Sequence, residues 1–332
     1  MVEISRELIA SVTDRVRGTV RSESRGLYHE LTFRAMSTPV RICFLHEQPA
    51  LAMELQHTIV EWISAFEARY SRFIPQSIVG QINANSGGDW LEVDAETDEL
   101  LGLCDQMHAF TRGVFDAASL PMMRLWDWKS KPSVLPDPKQ SAAVRETCGW
   151  EKINRRPRAI RLPGADMGID LGGIGKEYAV DRVVTMARER GTKDLLVDIG
   201  QDVRVCGHAP QKDAWYIGLE EPDHPGNCWN CLRLTDHAVA TSGDYLRSFT
   251  IGDRRYGHIV DPRTGEPVSN GCQAVTVVAP TCTMAGVLST AAFILGPKDG
   301  LELIQSHGNA DGCITTDSAR HQTRRFSRHV PI

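Results

Sequence analysis

The segment Asp170-Leu-Gly-Gly-Ile-Gly-Lys-Glu-Tyr-Ala-Val-Asp181 constrains this chain more than any other. Gly172, Gly173 and Gly175 precede a helical pattern beginning near Lys176, so the backbone must turn tightly from an extended stretch into a helix. Such a turn lets N–H groups approach phosphate oxygens, and the helix start adds a favourable dipole. Two familiar nucleotide loops are excluded. A Walker loop needs Gly six residues ahead of Lys176 and Ser or Thr after it, where this chain has Asp170 and Glu177. A dinucleotide fingerprint starting at Gly173 needs Gly where Tyr178 stands. The plain alternative is a tight turn with no ligand.

Elsewhere short strands and helices mix without regular alternation, which favours an α+β fold over a doubly wound sheet. Phe33 to Phe44 reads as one strand, rich in β-branched and aromatic residues. Leu55, Ile59, Trp62, Ile63 and Phe66 follow helical spacing. A polar loop is expected from Ser71 to Trp90, then a helix from Glu96 to Thr111. Three prolines between Lys131 and Lys139 mark an exposed crossing between lobes. A strand at Leu195–Ile199 and a strand-to-helix passage, Ala274–Val278 into Thr283–Leu295, complete the pattern.

At 332 residues the chain can bury a substantial core. A net charge of −5 gives no positive field for nucleic acid, and the basic stretch Arg320 to Arg328 reads as a solvated end. Acids near the N-terminus do not suit a secretory signal, and no apolar run is long enough to cross a bilayer. A cytoplasmic location is the expectation. Nine scattered cysteines fit reduced thiols, and Cys228-Trp-Asn-Cys231 lacks the second pair that a zinc site would want.

Two further constellations could carry chemistry. Gly113-Val-Phe-Asp116, with Pro121 and Leu125-Trp-Asp-Trp128, could line an aromatic-walled pocket, or Asp116 could be a helix cap and the tryptophans core. Thr241-Ser-Gly-Asp-Tyr245 precedes Tyr256-Gly-His-Ile-Val-Asp-Pro-Arg-Thr-Gly265, whose end makes a good hairpin turn. A lone His258 on a strand is more often structural than catalytic.

In this order the segments resemble the ApbE family of FAD:protein FMN transferases across roughly residues 30 to 315. Met36-Ser-Thr38 looks like the family's early Met-Gly-Thr strand. Phe73-Ile-Pro-Gln-Ser77 through Asn83 looks like its serine–asparagine loop, with Phe73 in place of the usual Tyr. Phe115-Asp116 lines up with Phe-Asp-Pro-Thr, although Ala117-Ala118 replaces Pro-Thr. The Asp170–Asp181 segment, Ile199-Gly200 with Asp202, Thr241–Tyr245, His258–Gly265 and Val278-Ala-Pro-Thr-Cys282 fit almost letter for letter.

The resemblance implies two lobes of mixed or antiparallel sheet with packed helices and FAD between them. It divides the chain into an extension (1–29), the transferase domain (30–315) and a basic tail (316–332). The implied reaction moves FMN from FAD to a Ser or Thr hydroxyl of a target flavoprotein and releases AMP. A water acceptor would instead make an FAD pyrophosphatase, and loss of catalysis would leave a flavin carrier. Met36, Phe73, Val114, Phe115, Asp116, Asp170, Gly172, Lys176 and His258 are the implied flavin contacts. Lys176 and His258 are also the implied catalytic groups. Magnesium is implied at the Gly173 carbonyl and the Thr290 hydroxyl, with Asp244 or Asp261 in reserve. Where the family has an acid four residues before this threonine, the chain has Gly286, so the usual charged ligand is missing.

Overall fold

Alternating burial builds the central sheet. In the strand Thr38–Leu45, Val40, Ile42 and Phe44 enter the core under the helices, while Cys43 enters a second core on the opposite face. Leu195, Val197 and Ile199 repeat the pattern against Leu196, as the two-residue period of a strand requires. The computed structural model describes residues 2–245 and 247–331, and the side chain of Arg254 lies outside that description. Among the described residues nine strands form the main sheet in chain order: Arg21–Arg25, Tyr28–Ala35, Thr38–Leu45, Leu195–Ile199, Asp202–Cys206, Ala238–Gly243, Cys272–Ala279, Asp311–Thr316 and Arg320–Gln322. Each is antiparallel to its neighbour. With helices in the connections, this is an α+β fold.

One face is covered by α1 (Arg6–Arg17), α2 (Pro49–Tyr70), α7 (Gly175–Glu189), α8 (Cys282–Leu295) and α9 (Pro297–Ser306). The hairpin of Trp215–Glu220 and Cys228–Leu234 shares the second core, with Trp215, Leu219, Leu232 and Phe326 in it. Between the third and fourth strands the chain departs through α2, α3 (Ile78–Ala84), α4 (Ala95–Phe110), α5 (Leu120–Leu125) and α6 (Pro138–Glu146). This excursion carries a separate small sheet, Leu91–Glu92 and Asn154–Arg156 flanking Ala159–Arg161.

The expected helices at 51–66, 96–111, 176 onward and 283–295 are present with small shifts. The single strand expected from Phe33 to Phe44 is a hairpin instead. Met36 and Ser37 turn with φ of 51° and 61°, and Pro39 pairs opposite Arg34. The Ser71–Trp90 loop contains α3, capped by Ser77, whose Oγ accepts the Gly80 N–H at 2.9 Å. A seven-residue helix is too short to display periodicity.

Neither domain boundary coincides with a break. Position 30 lies inside Tyr28–Ala35 and position 315 inside Asp311–Thr316. The basic end keeps its arginines exposed, as expected, but is anchored to the sheet. Arg320–Gln322 adds the last strand, and Phe326 is fully buried. Buried Asp311 meets Arg328 at 2.8 Å, His329 at 3.0 Å and Arg325 at 3.4 Å. No helix among the described residues is long and apolar enough to cross a membrane.

Candidate functional site

The glycine turn is fixed from several sides. Leu171 closes it, its carbonyl accepting the N–H groups of Ile174 at 3.1 Å and Gly175 at 2.6 Å. Asn83 brackets Ile169 through both amide atoms, at 2.7 and 3.0 Å, and Asp170 N–H donates to Ala117 O at 2.8 Å. The segments around Asn83, Phe115 and Asp170 are therefore one unit. A Cβ on Gly173 would stand 3.2 Å from the Phe115 ring, so close approach favours glycine there. Asp170 accepts the Gly172 N–H at 3.1 Å and lies 3.3 Å from Arg72 Nε. Burial raises its pKa, and Arg72 opposes the rise.

From Arg72 an arc of rings and cations continues. The Phe73 ring is 62% exposed, with the Arg72 guanidinium 4.4 Å from its centroid and Lys129 Nζ 4.6 Å from it. Lys129 also approaches the Trp128 ring, at 6.0 Å, and Trp128 meets His258 edge-on at 6.2 Å. An exposed aromatic flanked by two cations suits a flat, anionic ligand. His258 donates its backbone N–H to Arg247 O at 3.0 Å, while its buried Nδ1 has no hydrogen-bond partner among the described residues. Burial, then the charges of Arg247 and Lys176, push its pKa down to about 4.

Lys176 sits at the start of α7 and forms an ion pair with Asp202, at the head of the strand Asp202–Cys206. Glu177 Oε1 lies 3.6 Å from the same ammonium. Burial disfavours the charge on Lys176, but Asp202 and Glu177 outweigh it and raise its pKa. Burial pushes Glu177 up to about 7 despite the neighbouring ammonium. The sequence marked Lys176 as a cation for phosphate; the structure shows its charge shared by two carboxylates. Asp181, on the same helix, accepts the N–H groups of Cys282 and Thr283 at 2.9 Å each, the Thr283 hydroxyl at 2.8 Å and Arg204 at 2.7 Å. That carboxylate ties α7 to the positive start of α8.

Other expected residues take different places. Asp116 does not cap α5, whose N-cap is Ser119. Its two oxygens accept main-chain N–H groups of Ala118 at 2.7 Å and Trp150 at 3.1 Å. With His108 and Glu151 it forms the one acid–histidine cluster among the described residues whose ligand atoms converge. Val114 has its side chain in the core with Ala291 and Ile294. Met36 donates its N–H to Glu67 on α2 at 2.8 Å. Thr290 shares a hydrogen bond of 2.9 Å with Ser242, which also meets Ser289 at 2.8 Å. Asp244 is held by Arg255 at 2.6 Å and Asp261 by Arg263 at 2.8 Å, so both reserve ligands are already engaged. Cys228 and Cys231 are free thiols on one strand.

Sequence reasoning missed Arg72, Lys129, Glu177 and the partner role of Asp202. The acid directly after Lys176, on a helix whose adjacent Tyr178, Ala179 and Val180 are buried, was the available signal for Glu177.

The model of the ApbE family matches residues 36–314. Among curated relatives, the FAD:protein FMN transferase of Vibrio cholerae is 26% identical over 277 residues, covering 82% of this chain and 83% of the relative. That of Haemophilus influenzae is 27% identical over 291 residues, covering 84% of each. The crystal structure of the ApbE protein from Thermotoga maritima superposes with a TM-score of 0.83 at 29% identity, over 92% of this chain and all of that one. The flavin transferase ApbE from Vibrio cholerae gives 0.82 at 24% identity, over 93% of this chain and 100% of that one, a likeness of fold.

Proposed function

The chain belongs to the ApbE family, and from that premise we propose that it transfers FMN from FAD to a Ser or Thr hydroxyl of a target flavoprotein, releasing AMP. The supporting observation is the continuous arc from Asp170 through Arg72, Phe73, Lys129 and Trp128 to His258. It sets an exposed ring for stacking beside cations and the glycine turn, the pair of environments that a flavin and its pyrophosphate need.

The acceptor oxygen attacks the FMN phosphorus, the bond to the AMP phosphate breaks, and the hydroxyl proton must leave. His258 offers an acceptor for that proton, because its buried Nδ1 has no hydrogen-bond partner among the described residues. Lys176, anchored by Asp202, contributes positive potential near the turn. Phe73 and Phe115 hold the ligand's position, and Gly172 and Gly173 allow close approach.

Magnesium, when bound, would offset charge on the phosphate oxygens. The Gly173 carbonyl and Thr290 hydroxyl supply only neutral oxygens, which hold a hard dication poorly without a carboxylate. The fit therefore turns on an acid near Gly286, and Glu177 lies there with one buried oxygen unpartnered. A reducing, cytoplasmic setting suits the nine free thiols.

The test mixes purified protein, FAD, magnesium and a flavoprotein acceptor, and follows acceptor mass after denaturation. The expected result is a covalent FMN increment on a Ser or Thr, with AMP in equal amount. Free FMN and AMP with an unmodified acceptor, or no AMP at all, would refute transfer.

A further inference from the structure

Gly286 lies inside α8, where glycine costs about 1 kcal/mol relative to alanine, so something must use the space. A Cβ there would stand 2.5 Å from Glu177 Cγ and 3.0 Å from both Cδ and Oε1. The Glu177 side chain thus lies directly on the bare backbone of α8. Its carboxylate reaches the helix face that Thr290 occupies one turn later. The side chain is 7% exposed, Oε1 lies 3.6 Å from Lys176 Nζ, and Oε2 has no hydrogen-bond partner among the described residues.

A buried carboxylate oxygen left without a donor is costly. The local charges sharpen the point: Lys176 carries one positive charge, while Glu177 and Asp202 carry two negative ones when ionised. Asp181 adds nothing net, being matched by Arg204. With Glu177 ionised, the two carboxylates around Lys176 outnumber it by one charge.

We propose that Glu177, presented from α7 across Gly286, is the carboxylate ligand for the divalent cation in this chain. The assignment rests on the transferase reading for its context, and it deepens that reading by naming the charged ligand that α8 lacks. One carboxylate, the Thr290 hydroxyl and substrate phosphate oxygens make a donor set of the kind that magnesium takes. It also accounts for the pairing of Glu177 with Gly286: a larger residue at 286 would displace the acid.

The experiment uses Mn2+ as the probe. Free Mn2+ is followed by electron paramagnetic resonance during titration of the protein–FAD complex, with FAD alone as the blank. Glu177→Gln and Glu177→Gly should each weaken Mn2+ retention at least about tenfold, and Gly286→Asp in the Glu177→Gly background should restore most of it. Thermal melting of each variant reports folding. Retention equal to wild type in either folded single variant would overturn the assignment, as would failure of the folded double exchange to recover it. Covalent FMN transfer is measured separately. Transfer that proceeds while Mn2+ retention ignores residue 177 removes the ligand and keeps the function; the converse result removes the function and keeps the ligand.

Discussion

At the scale of residues, His258 carries the clearest pH signature. Its pKa falls from the ordinary 6.5 to about 4 in the fold, so between these values the unfolded chain binds a proton that the native protein does not. Stability from this group is intact above about pH 6.5 and declines as pH falls toward 4, by about 3 kcal/mol at most. Replacing His258 by Asn should flatten the pH dependence of thermal stability in that window while lowering FMN transfer at neutral pH. A melting profile as steep as wild type from pH 6.5 to 4.5 would show that the ring is not held neutral. The sequence could name this histidine but not its environment. Burial and the nearness of Arg247 and Lys176 come from tertiary packing, which no local pattern encodes. Phe73, by contrast, was readable as an aromatic in its loop, whereas the cations over it come from neighbouring and distant positions.

Among elements, the junction of α7 with α8 organises the site. Asp181 accepts two backbone N–H groups at the start of α8, a threonine hydroxyl and an arginine. Removing it leaves those donors and the half-buried Arg204 charge without this partner. Asp181→Ala should lower stability by about 2–4 kcal/mol, the scale of a lost charged hydrogen-bond set, as measured by urea denaturation. A change under about 0.5 kcal/mol would mean that the junction is held by packing alone. The long helices were legible because α2 and α8 display their apolar faces over many residues. The Phe33–Phe44 hairpin was not, because its turn uses Met36 and Ser37 at positive φ, where Gly or Asn would have advertised it. The α3 helix escaped for want of length. The glycine turn was legible as a turn, yet its closeness to Phe115 depends on chain segments far apart in sequence.

Across the whole molecule, the C-terminal end is a structural part of the second core. Ending the chain after Ala319 would remove the last strand and Phe326, and would leave Asp311 buried without Arg325, Arg328 and His329. Losing a buried aromatic and stranding a charge each costs about 3–5 kcal/mol. The shortened chain should therefore melt far below the full one or fail to fold, as circular dichroism on heating would reveal. A superimposable melting curve would contradict this role. Composition could not disclose it, since a run of arginines reads as solvent-facing until the acid it meets is known.

The sheet follows chain order from Arg21–Arg25 to Arg320–Gln322, so its two rims are made by the first and last strands. Both rims are exposed and bear arginines. A foreign strand continuing the ladder from either side would have to lie against that charge. Charged side chains on both edge strands thus guard the sheet against self-templated stacking.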